Sequence, residues 1–144
     1  MNTNNMNNMN KFKIRILGSG AGGGLPQWNC NCQNCILARN NQIESKSQSS
    51  IAITVDENNW ILINASPDIR QQINCLNYQY PQNNLRNNNI KAIILVDSQI
   101  DHTTGLLIMR EGNPLNIYCT DNVYKELNNK FPIFKILQHY CGTN

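Results

Sequence analysis

The sequence predicts an α/β fold in which helices pack on a mixed sheet, and three observations carry that prediction. Residues 50–55 (SIAITV) and 60–63 (WILI) are short apolar runs around the polar connector DENN, the pattern of a β-hairpin. Beyond residue 90, strand-like and helix-like segments alternate, so antiparallel strands come first and strand–helix units follow. Finally, the apolar run KAIILV at residues 91–96 ends in a polar cluster, DSQIDHTTG at residues 97–105. Open α/β sheets present ligand groups at the carboxyl ends of buried strands in this way.

At 144 residues the chain is long enough for one domain with a real core. Residues 1–10, MNTNNMNNMN, form a low-complexity polar tract without enough apolar surface to fold; a disordered arm is expected there, and one domain over residues 11–144. Phe12, Ile14 and Ile16 alternate with Lys13 and Arg15, which predicts a half-buried strand near the edge of the sheet. It leads into GSGAGGG at residues 18–24, a literal G-x-G-x-x-G. A dinucleotide fold needs a helix to begin there, yet Leu25, Pro26, Gln27, Trp28 and a cysteine cluster follow, so a tight loop using positive φ is expected instead.

A short helical turn is expected after Cys35. After the hairpin, Ser66 and Pro67 read as an N-cap hydroxyl and a first-turn proline, with Asp68 favouring the helix dipole, for a helix to about Ile73. Residues 78–89 read as an Asn-rich connection to the strand at 91–96, which should be buried on both faces. Residues 105–111 predict a helix that packs Leu106, Leu107 and Met109 on the sheet, and residues 115–119 a strand. Thr120 or Asp121 should cap a helix with Val123, Tyr124 and Leu127 inward, and residues 141–144 should add no further element.

Two constellations carry chemistry. Asp97, Gln99, Asp101 and His102 offer oxygen and nitrogen donors within six residues, a set suited to iron, manganese or zinc. The competing reading is helix capping by Asp97 or Ser98, with Asp101 merely solvated. Cys30, Cys32 and Cys35 place three thiols within six residues, a poor disulfide framework but a good metal knuckle. Cys75, Cys119, Cys141 and His139 are the candidates for a fourth zinc ligand. The net charge of +3 comes from scattered side chains rather than a basic run, which argues against nucleic acid and anionic membranes as partners. No apolar stretch reaches the roughly 18 residues of a membrane helix, and the first ten residues lack a signal-peptide core, so a soluble cytoplasmic protein is expected.

The segments LGSGAGGGLPQWNCNC (residues 17–32), NASPDI (64–69), DSQIDHTTG (97–105) and REG (110–112) closely resemble the coenzyme PQQ synthesis protein B family. The resemblance runs from Phe12 to about Tyr140, and because that family's members are roughly twice as long, it implies an amino-terminal half. It also implies a metallo-β-lactamase-like αββα sandwich, with the sheet edge and apolar face of this half meeting a second copy or the missing carboxyl-terminal half. Metal hydrolases of that superfamily carry His-x-His-x-Asp-His where this chain has Asp97, Gln99, Asp101 and His102. By this resemblance Asp101 and His102 would hold the active-site metal, Asp97 and Gln99 would form its near shell, and residues 18–24 would border the pocket. Asn64 stands where many of the hydrolases have aspartate. The cysteines resemble a structural zinc knuckle completed by a histidine of the other half.

The implied function is a step in making pyrroloquinoline quinone: an iron-dependent hydroxylation of the tyrosine-derived part of a Glu-Tyr precursor. The alternatives are carriage of the quinone or its precursor, and metal-dependent hydrolysis.

Overall fold

The computed structural model describes residues 12–76 and 89–144. The expected amino-terminal arm and most of the Asn-rich connection lie outside them. Five strands form one sheet in the order β1-β2-β3-β4-β5, namely Lys13–Gly18, Ser50–Thr54, Trp60–Ile63, Ile90–Ile94 and Ile117–Tyr118. The first two pairings are antiparallel and the last two parallel, so the hairpin and the mixed sheet take the form the sequence predicts.

The helices are short: α1 Gln33–Arg39, α2 Ile69–Asn74, α3 Ile100–Thr103, α4 Gly105–Ile108, α5 Asp121–Lys125 and α6 Ile133–Leu137, with a π-helical turn over Glu126–Lys130. Of these, α2, α4, α5, the π-helical turn and α6 cover one face of the sheet. Ala52, Leu62 and Ile93 form a cross-strand row on that face, each no more than 1% exposed. Ile69 of α2, Leu106 of α4 and Leu137 of α6 belong to the same buried cluster. No helix among the described residues is long and apolar enough to cross a membrane.

The other face differs from expectation. Ile14, Ile53, Ile61 and Ala92 form one cross-strand row, and Ile16, Ile51, Ile63, Ile94 and Tyr118 the next. Ile14 and Ile16 are each 61% exposed, so β1 is an edge strand whose apolar side faces outward. Nor is β4 buried on both faces: Ile93 is buried and Ile94 only half so. Continuous apolarity along β4 therefore reflects a two-sided surface of which the described helices cover one side.

Further boundaries shift for local reasons. Helix α2 begins at Ile69, because Ser66 caps the turn before it, its Oγ accepting from the Asp68 N–H at 3.2 Å. The expected helix over 105–111 ends at Ile108, and Gly112 turns the chain at φ +103°. Thr120 caps α5 as expected, accepting from the Val123 N–H, but Tyr124 is exposed. Val123 and Leu127 make the buried i, i+4 stripe, and Tyr124 lies about 100° round the helix from Val123, against Phe134. Residues 141–144 do add an element: Leu115 and Ile117 donate to Gly142 and Asn144 carbonyls, and the Asn144 N–H returns to Leu115.

Candidate metal centres

Because β1, β3, β4 and β5 all run the same way, their carboxyl ends share one edge of the sheet. The glycine loop, Asn64 and residues 97–105 therefore converge there. The chain turns from β4 into α3 at Asp97, whose Oδ1 accepts from the Gln99 N–H at 3.0 Å. The same oxygen lies 2.8 Å from His102 Nδ1. An ionised carboxylate only accepts, so Nδ1 is the donor in this pair and Nε2 is the ring nitrogen left for another partner. Asp101 Oδ2 stands 3.8 Å from that Nε2, against about 3.4 Å for two ligands of a tetrahedral ion at about 2.1 Å each, so a small closure would bring both onto one ion.

Both readings of residues 97–105 thus hold in part. Asp97 does organise the turn, as capping would have it, while orienting the imidazole as a carboxylate behind a metal-binding histidine does. Gln99 stands apart: exposed, its amide 3.4 Å from Asp97 Oδ2, it contributes mainly backbone, its carbonyl accepting from Thr103 Oγ1 and His102 N–H.

The scaffold behind His102 is backbone. Its carbonyl accepts from the Ala65 N–H at 2.8 Å, and the Gly105 N–H donates to the Ala65 carbonyl at 2.9 Å. A Cβ on Gly105 would meet the Ser66 carbonyl at 2.2 Å, so only glycine permits this approach. Asn64, at φ +63°, is buried; its side-chain oxygen accepts from the Val96 N–H and its carbonyl from Ser50 Oγ. It staples β3 to the end of β4 rather than offering a ligand.

On the other side, a Cβ on Gly22 would lie 3.2 Å from Asp101 Oδ2, so the glycine loop touches the candidate ligand. Gly23 and Gly24 adopt φ of +93° and +72°, and the next helix starts only at Gln33, as the tight-loop reading requires.

The three clustered cysteines also come together. Their Sγ atoms lie within 4.8 Å of one another, against about 3.8 Å for thiolates sharing a tetrahedral zinc, so only a small closure is needed. Arg39 ties the loop, donating to the Gln27 carbonyl at 2.6 Å and to Asn31 at 3.3 Å. Hydrogen bonds from the Cys35 backbone and from the Cys30 and Cys35 thiols lower the Cys32 thiol below its ordinary range. Cys35 moves upward: a backbone hydrogen bond with Gln27 favours its thiolate, but burial and the Cys30 and Cys32 thiols outweigh it. Among the described residues, Cys75, Cys119, Cys141 and His139 are not part of this cluster. Burial pushes the thiols of Cys119 and Cys141 up, as for ordinary packed cysteines.

Sequence reasoning missed the buried network behind these loops. Gln48 and Gln72, 9% and 3% exposed, join Ser47, Ser66 and Asp68 through hydrogen bonds. Polar residues scattered along the chain carry no period that would have revealed it.

Comparison with known proteins agrees with this architecture. Residues 59–144 match the model of the beta-lactamase superfamily domain. The coenzyme PQQ synthesis protein B of Methylococcus capsulatus is 52% identical over 133 residues, covering 90% of this chain and 44% of that protein. Its namesake from Acinetobacter baumannii is 54% identical over 131 residues, covering 90% and 43%. The chain thus spans less than half the length of these relatives. Among solved structures, zinc-bound PqqB from Methylobacterium extorquens superposes with a TM-score of 0.81 at 38% identity, over 93% of this chain and 45% of that one. A diphosphatase of the PhnP family superposes at 0.63 with 22% identity, over 85% and 46%, a likeness of fold alone.

Proposed function

Since this chain belongs to the beta-lactamase superfamily and corresponds to the amino-terminal half of coenzyme PQQ synthesis protein B, we propose that it serves pyrroloquinoline quinone biosynthesis. The step we assign is metal-dependent oxidation of the tyrosine-derived part of a small Glu-Tyr precursor. The observation that supports it is the Asp97–His102–Asp101 arrangement. One imidazole, oriented by a carboxylate, and a second carboxylate 3.8 Å from it make a hard-to-borderline donor pair. Iron bound there would supply activation of dioxygen, the oxidant of the step. The residues of this chain hold and orient: Asp97 keeps the proton on Nδ1, Asp101 supplies negative charge, and the glycine loop closes over the carboxylate.

The cysteine knuckle takes the other role, structural zinc, for which three converging thiols are the fitting donors. Hydrolysis by two metals is the weaker reading, because Gln99 puts a neutral amide, turned toward Asp97, where a second ion needs imidazole.

Elemental analysis tests both assignments on protein purified without added metal, for the parent chain and the His102→Ala and Cys32→Ala variants. Zinc should follow Cys32 and iron should follow His102, and oxygen uptake with the Glu-Tyr substrate should vanish in His102→Ala while zinc stays. Iron retained by His102→Ala would overturn the assignment. Quinone binding without turnover, indifferent to that substitution, would favour a carrier.

A further inference from the structure

The glycine loop has a second neighbour. Gly23 and Gly24, residues 45–47 ahead of β2, and helix α2 line an open cavity of about 380 Å³, within the size range of small-molecule sites. Leu17, Leu25 and Pro26 give it apolar walls, and Asp68, Gln71 and Cys75 line it from the α2 side.

The polar groups beneath are committed to one another. Gln48 donates to Asp68 Oδ2 through its backbone N–H at 2.8 Å and its side-chain amide at 3.2 Å, while its Oε1 accepts from the Gly23 N–H. Gln72 Nε2 donates to Ser47 Oγ at 2.9 Å and the Gln48 carbonyl at 2.7 Å. Asp68 is therefore fixed through one oxygen. Its other oxygen, Oδ1, accepts no hydrogen bond from the described residues, and no Lys or Arg among them pairs with this carboxylate. Lys46, at the cavity wall, is paired with Glu44.

A carboxylate held through one oxygen, the other without a partner among the described residues, beside apolar walls, is a receptor for an organic cation. We propose that this cavity binds the ammonium group of a molecule of amino-acid or short-peptide size. Asp68 Oδ1 accepts from the ammonium, and Leu17, Leu25 and Pro26 receive its apolar part. An anion is disfavoured, because the free charge in the cavity is negative. The inference stands on the cavity and is independent of the metal chemistry at Asp101 and His102.

The probes are L-tyrosinamide and N-acetyl-L-tyrosinamide, which differ only at the amine, an ammonium in one and a neutral acetamide in the other, titrated into the full 144-residue chain with amide NMR shifts as readout. Tyrosinamide should shift Gly23, Gly24 and the Gln71 side chain, and bind at least about tenfold more tightly than the acetylated form, the strength of one charge-assisted contact. Asp68→Asn, which keeps an oxygen for Gln48, should erase that discrimination. Cys75→Trp, at an exposed rim position, should fill the cavity and abolish both titrations while the spectrum stays folded. Equal affinities for the two probes, shifts confined to other residues, no binding at all, or discrimination that survives Asp68→Asn would each overturn the proposal.

Discussion

Gly105→Ala tests how the candidate site is held. The added methyl would stand 2.2 Å from the Ser66 carbonyl oxygen and 2.5 Å from that of Ala65, both backbone atoms that cannot rotate away. Normal carbon–oxygen contact needs roughly 3.2 Å or more, so α4 must retreat by about 1 Å. That movement strains the Gly105 N–H to Ala65 bond and, through it, the Ala65 N–H to His102 bond. Two backbone hydrogen bonds at about 1 kcal/mol each, plus about 1–3 kcal/mol of overpacking, give a loss of about 3–5 kcal/mol. For a domain of this size the melting temperature should fall by about 10–15 °C. Gly142→Ala is the contrast: it forces a left-handed residue, φ +77°, but its nearest neighbour is 3.9 Å away, so about 1 kcal/mol is expected. Urea denaturation of both variants measures the difference. Equal losses, or a loss under about 1 kcal/mol for Gly105→Ala, would refute the close-approach argument.

Asp97→Asn should weaken metal binding at His102 by about 10–100-fold, because an amide, uncharged and able to donate as well as accept, no longer fixes the tautomer, whereas Gln99→Ala should change it little; titration with ferrous ion reads both. The Asp56 carboxyl is held at about 2 by hydrogen bonds from Asn59 and Asn58, below its ordinary 3.8. The unfolded chain therefore binds the extra proton first as pH falls, so this contribution is present above pH 4 and lost toward pH 2; Asp56→Ala should flatten the acid limb of the stability curve. Leu62→Ala should cost about 2–5 kcal/mol by opening a cavity in the buried face, and Ile16→Ala, on the uncovered face, under about 1 kcal/mol; chemical denaturation separates them.

The hairpin and the mixed sheet were legible because alternation and turn residues are local signals. The polar cluster after β4 was equally legible, since its position at a strand end follows from the apolar run before it. Which face of β1 and β4 is covered was not, because period and apolarity do not say where the covering layer comes from. Likewise the role of Asp97 was open: sequence spacing cannot distinguish a cap from a carboxylate behind an imidazole, and the geometry makes it both. The clamping role of Asn64 and the place of Gln48 in the network were invisible, because Val96 lies 32 residues from Asn64, and Asp68 and Gln72 lie 20 and 24 residues from Gln48.

The convergence of strand ends at one edge has a kinetic consequence. The β2–β3 hairpin needs only a short loop closure, but the donors at Asp97, Asp101 and His102 reach their places only after the parallel β3–β4 pairing and the Asn64–Val96 clamp, which joins residues 32 apart. Gly22 arrives from a still more distant stretch of chain. Long-range and parallel pairings form late, because loop-closure entropy precedes their reward. During refolding, secondary structure should therefore appear before the chain gains affinity for an ion at His102, and the delay between the two signals clocks the closing of the sheet.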